Sequence, residues 1–210
     1  GIRDKLVTGV QTCALTILYL EMAELQAAAG LIPFLQFGEV QWWYFPHNGY
    51  PVGDSHRVNF SGMPFYDAWT AAQFAAQYGR AMATIVSNDV NVADYLDEAA
   101  FLPAVIGNFT NSIESFVKAT YPNCRFEVLY PTDVNQTTFN RTINYPEAAW
   151  TSTNLAVLKT EAFGFTLGRN LDKSQETMDL GSSLAFPVTQ RSHLIGIGDV
   201  ATAWTKEAAM

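Results

Sequence analysis

The chain has 210 residues, 49% of them hydrophobic and 13% aromatic, and a formal net charge of −8. That length and apolar content predict a soluble globular chain with a substantial core, one domain or most of one. An acidic balance without basic clusters argues against nucleic acid and membrane as partners, and no apolar run approaches the roughly 20 residues of a membrane-spanning helix.

Residues 1–17, Gly1-Ile-Arg-Asp-Lys-Leu-Val-Thr-Gly-Val-Gln-Thr-Cys-Ala-Leu-Thr-Ile17, resemble a translated sequencing adapter, with Thr16 where that product carries Pro. The resemblance implies a non-native segment, so the folded domain is expected to comprise residues 18–210. The segment lacks the continuous apolar core and small-residue cleavage pattern of a signal peptide. Arg3, Asp4 and Lys5 together carry +1, which leaves −9 on residues 18–210. Without Cys13, Cys124 is the remaining cysteine, so neither an internal disulfide nor a thiolate metal cluster is expected.

In chain order, the alanine-rich run Tyr19–Ala29 predicts a helix stopped by Gly30. Ile32 to Gly38 then reads as a strand buried on both faces, as in a parallel sheet covered by helices. It delivers a carboxylate, Glu39, followed by the aromatic run Trp42, Trp43, Tyr44 and Phe45. Residues 47–67 are rich in turn signals yet hold Tyr50, Phe60, Phe65 and Tyr66, an aromatic content that suits a loop folded on the domain or facing a ligand.

From Trp69 to Val86, the spacing of Phe74, Tyr78, Met82 and Ile85 predicts an amphipathic helix ended by Ser87-Asn-Asp89. A second helix is capped by Asp97, with Leu102, Val105, Phe109, Ile113, Phe116 and Val117 as its buried side and Pro103 in its first turns. Tyr121-Pro-Asn123 ends it. Arg125-Phe-Glu-Val-Leu-Tyr-Pro131 is the next strand and leads to Asp133. Residues 135–144 read as polar loop. Ser152 or Thr153 opens a helix through Phe163, and Asn170 or Asp172 opens another over Leu171–Leu180. His193-Leu-Ile-Gly-Ile-Gly198 is a further strand, ending at Asp199. The helical pattern at Trp204–Met210 runs out without a cap, and a β/α barrel takes about 250 residues, so an incomplete barrel is expected.

Strands ending in Glu39, Asp133 and Asp199 suggest chemistry. Glycoside hydrolysis uses two carboxyl groups across a sugar ring, one protonated as acid and one ionised as base or nucleophile. An apolar surround raises the pKa of the acid, and Glu39 beside the aromatic run is the first choice for that role. Asp133 and Asp199 are the candidate partners, each with the competing role of capping a following helix. His47, His56 and His193 show no metal spacing, and no phosphate-binding glycine loop or nucleophile elbow is present, so no cofactor is expected.

Phe37-Gly-Glu-Val-Gln-Trp-Trp-Tyr-Phe45, Gly62-Met-Pro-Phe-Tyr-Asp67, Arg125-Phe-Glu-Val-Leu-Tyr-Pro131 and Ser192-His-Leu-Ile-Gly-Ile-Gly-Asp199 resemble the barrel domain of phage-type non-contractile tail sheath proteins, itself similar to glycoside hydrolase barrels. The resemblance implies an α/β fold, a fragment of a (β/α)8 TIM barrel with parallel strands and helices outside. Glu39 matches the strand-end acid of glycosidase barrels, with Gly38 where an Asn often precedes it. Under this reading Trp42, Trp43, Tyr44, His47 and Tyr66 bind a glycan. The alternative is a non-catalytic sheath-type domain whose partners are neighbouring protein subunits. A virion- or tail-associated protein, or a soluble bacterial one, fits either reading.

Overall fold

The computed structural model describes residues 2–42, 64–85, 87–195, 205 and 208–209. Helix α1 spans Ile2–Ala28 without a break, so the helix start expected at Tyr19 lies inside it. Thr16, where the resembled product has Pro, keeps the backbone N–H that an uninterrupted helix needs. Gly30 ends the helix as expected, in the left-handed region at φ 77°. Its N–H donates to Ala27 O and that of Leu31 to Gln26 O, closing the last turn.

Strand β1 is Phe34–Gly38. It is buried on one face, where Leu35 and Phe37 lie, and not on both as its apolar run implied. Its outer edge is capped by α1, because Gln26 donates to Phe34 O at 3.2 Å and accepts from Phe34 N at 2.8 Å. A side-chain amide thus supplies the partners a neighbouring strand would give. Tyr19 secures the same contact by donating to Gln36 O at 2.8 Å.

Helix α2, Ala68–Tyr78, stops before the expected Val86. Gly79 takes a left-handed conformation and its N–H closes onto Ala75 O, so Met82 and Ile85 pack from an extended segment. Asp67 caps the helix start through Trp69 N and Thr70 N. Helix α3 covers Leu96–Thr120 and passes through Pro103 beyond its first turn. Asp97 does not cap it; Tyr95 occupies that position, and Asp97 and the buried Glu98 both bind Arg80. Phe116 is exposed, while Leu102, Ile106, Thr110, Ile113 and Val117 form the inward stripe.

Strand β2, Arg125–Pro131, lies where the sequence puts it. Two later expectations are corrected. Residues 138–144 form helix α4, Thr138–Asn144, because Thr137 accepts the Asn140 N–H as an N-cap within what read as polar loop. The helix expected from Ser152 to Phe163 is instead strand β3, Val157–Glu161, followed by the short helix α5, Phe163–Leu167. Helix α6, Leu171–Ser183, is capped by Asn170, one of the two expected starts, and runs three residues beyond the expected Leu180; β4 is Arg191–Leu194. The residues expected to continue that last strand, 196–198, lie outside the described ones.

All adjacent pairs of the sheet are parallel, in the order β1-β2-β3-β4. Strand β3, which the sequence reading had as helix, stands between β2 and β4. Leu35, Phe37, Phe126, Val128, Tyr130 and Leu158 point to one face and form a core with Ala23 of α1 and Ile106, Ile113 and Val117 of α3. The strand registers put Gln36, Glu127, Leu129, Lys159 and Glu161 on the opposite face. A second core joins Phe74 of α2, Phe101 and Leu102 of α3, and Phe139 and Ile143 of α4. The chain is thus mixed α/β, a parallel sheet with flanking helices. No described helix is long and apolar enough to cross a membrane.

Candidate functional site: the carboxyl edge of the sheet

Because β1, β2 and β3 run parallel, the residues following each emerge at one edge of the sheet. Glu39 follows β1, Asp133 follows β2, and Glu161 is the last residue of β3. Two expected carboxylates, Glu39 and Asp133, therefore come to one edge together with Glu161, which the sequence reading placed in a helix. Asp199, Trp43, Tyr44 and His47 lie outside the described residues.

The three acids sit in different surroundings. Glu39 is exposed, and the burial expected of it belongs to Glu161, which is only 5% exposed. Glu39 also holds a positive φ of 47°, the left-handed region, where a non-glycine residue costs about 1–2 kcal/mol. Asp133 is engaged in structure, as its Oδ2 accepts the Gly164 N–H at 2.5 Å and so caps α5. The Glu161 carboxyl makes no hydrogen bond or ion pair to a described residue. Burial pushes its pKa up to about 7, helped by the negative charges of Glu39 and then Asp133. A carboxylic acid near neutrality, without a cation to hold its proton off, is the usual state of a general acid.

A chain of amides fixes the loop after Glu39. Asn144 of α4 accepts the Trp42 N–H at 2.6 Å and donates to Trp42 O at 3.1 Å. It also donates to Asn135 Oδ1 at 2.8 Å, and Asn135 donates to Gln41 Oε1 and to Pro131 O, each at 2.7 Å. The Trp42 indole N–H donates to Leu102 O at 3.0 Å and its ring meets Phe65 edge-on, so the side chain is held within the protein. Tyr66 is 38% exposed, but its hydroxyl donates to Ala83 O at 2.7 Å and also accepts the Ile85 N–H. Of the expected sugar-stacking residues, Trp42 and Tyr66 are thus both bonded to backbone.

On the sheet face opposite α1 and α3, Lys159 Nζ donates to Gln36 Oε1 at 2.8 Å and pairs with Glu127, Lys159 standing two strand positions before Glu161. This ion pair satisfies Glu127, which is 6% exposed. His193 is bonded to Thr160 on the helix-covered face, away from the acids. Among the described residues, no group of three or more His, Cys, Asp and Glu side chains is arranged to hold a metal ion.

Glu161 was missed because Ser152 and Thr153 look like helix caps. The signal that would have found it is Val157-Leu-Lys-Thr-Glu161, whose β-branched Val157 and Thr160 suit a short strand after the Thr151–Asn154 turn. In comparisons with known proteins, no family model, no curated protein and no solved structure matches this chain.

Proposed function

We propose that the chain forms part of a glycoside-hydrolase-like β/α barrel that acts on glycans, with Glu161 as the proton donor. The observation that carries the proposal is Glu161 itself, buried at a strand end with its pKa pushed up to about 7. Barrel active sites occupy this edge of the sheet. The unbroken strand order favours the barrel, since doubly wound sheets reverse order at a switch point.

In this reading Glu161 protonates the glycosidic oxygen, and water-exposed Glu39 takes the proton of the attacking water. Strand β2 lies between the two, and two strand spacings put the β1 and β3 backbones about 9–10 Å apart. The carboxyl separation decides the stereochemical course, roughly 6.5–9.5 Å for inversion, which this division of roles requires, against 5–5.5 Å for retention. Asp133 adds negative charge that keeps the Glu161 proton in place. The test is release of reducing ends from a panel of bacterial cell-wall and capsular glycans. Wild type should cleave, and Glu161→Gln should lose about 10²–10⁴-fold in rate. Equal cleavage by both would assign the wrong acid.

A second reading has its own observation. Leu18, Met22 and Leu25 form an exposed stripe on α1, continued by Leu31 and Ile32, with Leu25 72% and Ile32 65% exposed. Such a patch suits packing against a neighbouring subunit, as in a non-catalytic sheath-type assembly domain. If no glycan in the panel is bound or cleaved, and self-association disappears in Leu25→Glu, the assembly reading replaces the first.

A further inference from the structure

Lys159 and Glu161 stand two positions apart on β3 and share the sheet face opposite α1 and α3. The registers arrange that face in rows across the strands. Gln36, Glu127 and Val157 form one row, and Gly38, Leu129, Lys159 and Ser192 the next. Pro131, Glu161 and Leu194 form the row at the carboxyl edge. Lys159 thus has a row on either side of it, each about 6–7 Å away along the strand, within reach of a lysine side chain. It turns away from the edge. Its Nζ donates to Gln36 Oε1 at 2.8 Å and pairs with Glu127, both in the row towards the amino ends of the strands.

Negative charge gathers at the other end, where Glu39 and Asp133 both act on Glu161. An ammonium released from its partners in the middle row would be drawn there. Arg125, on the same face at the start of β2, lies over the Phe34 ring at 5.1 Å. Strand β4 adds the uncharged Ser192 and Leu194, and α5 carries no titratable residue. His193 and α6 belong to the helix-covered face, where Leu180 of α6 meets the core. Among the described residues of this sheet face, Lys159 is therefore the cation one row from Glu161. The ion pair is not explained by stability. The Lys159 and Glu127 side chains are 23% and 8% exposed, and a largely desolvated pair commonly stabilises no better than apolar residues of the same volume. What the pair does is fix the direction of the ammonium.

We infer that Glu127, assisted by Gln36, is a positioning residue for the acid of the carboxyl edge: it holds the Lys159 ammonium one row away from Glu161, so that the Glu161 carboxyl keeps its proton. The inference rests on the reading of Glu161 as proton donor. An ammonium in contact would favour the carboxylate and lower its midpoint by about 1–3 pH units, leaving an anion where the glycosidic oxygen needs a donor.

The experiment is a carboxyl-carbon NMR titration of Glu161 in the full chain, for wild type, Glu127→Gln and the double variant Glu127→Gln/Lys159→Met. The amide keeps the shape of the Glu127 side chain and loses its charge, which releases the ammonium towards Glu161. The Glu161 midpoint is expected to fall by at least about one pH unit in Glu127→Gln. It should return to the wild-type value in the double variant, where no ammonium is left to make the contact. A smaller fall, or a midpoint that stays low in the double variant, overturns the inference. A residue that only braced the sheet would lower the melting temperature without moving this titration. If melting shows Glu127→Gln to be unfolded, Gln36→Leu decides instead, because it removes the second acceptor from a half-buried position. A lower Glu161 midpoint there supports the inference, and an unchanged one overturns it. Failure of the acid reading looks different. A wild-type midpoint at the ordinary carboxylate value removes the proton donor and this inference with it. A wild-type midpoint near 7 that does not move in the variants overturns this inference alone.

Discussion

Asp133, at the end of β2, accepts the Gly164 N–H at 2.5 Å and thereby ties the β2 edge to the first turn of α5. The approach depends on glycine, since a Cβ at position 164 would stand 2.9 Å from Asp133 Oδ2. Asp133→Ala should cost about 1 kcal/mol, the usual value of a lost helix cap. Gly164→Ala should destabilise by pushing the carboxylate away. The double variant should lose less than the sum of the single losses, because the clash and the bond involve the same oxygen. Urea unfolding of the three variants checks this.

Glu161 makes stability depend on pH in a defined window. Its folded pKa of about 7 lies above the ordinary carboxylate value of 4.5, so folding favours the protonated form. The contribution is fully present below about 4.5, falls as pH rises towards about 7, and is constant above that. A shift of this size corresponds to something on the order of 3 kcal/mol. Glu161→Gln should flatten the curve of unfolding free energy between pH 4.5 and 7 relative to wild type.

The amide chain should be the most sensitive polar feature of the fold. Asn144 is fully buried and supports the Trp42 backbone from both sides as well as Asn135. Asn144→Ala removes three hydrogen bonds and leaves buried partners without them, at a cost of about 2–3 kcal/mol. Denaturant titration reads the loss. The fluorescence of Trp42 should shift with it, since its loop is no longer held.

Gly79 carries the turn that ends α2, with φ 68°. Gly79→Ala should destabilise by about 1 kcal/mol, as a Cβ disfavours the left-handed region. No neighbouring atom lies within 4 Å of where that Cβ would sit, so conformation alone sets the cost. The thermal midpoint of the variant measures it.

Much of the sheet was legible in the sequence, for identifiable reasons. Arg125–Pro131 is a run of β-favouring residues buried at every position but the first, and Gly30 is a stop that only a left-handed residue provides. The failures came where local signals conflicted. Thr137 caps a helix so short that its polar residues resembled loop, and Ser152 and Thr153 offered a helix start that the chain does not use. Missing β3 hid Glu161 and left Glu39 to receive its role. The surroundings of a carboxylate depend on packing from β2, α5 and the 39–42 loop together, and no spacing in the sequence expresses that.

The proton on Glu161 is the centre of the account, and a carboxyl-carbon NMR titration of wild type and Glu39→Gln reads it directly. The account predicts a Glu161 midpoint near 7 in wild type, moving down in Glu39→Gln as the neighbouring charge is lost. A wild-type midpoint at the ordinary 4.5, unchanged in the variant, would contradict it.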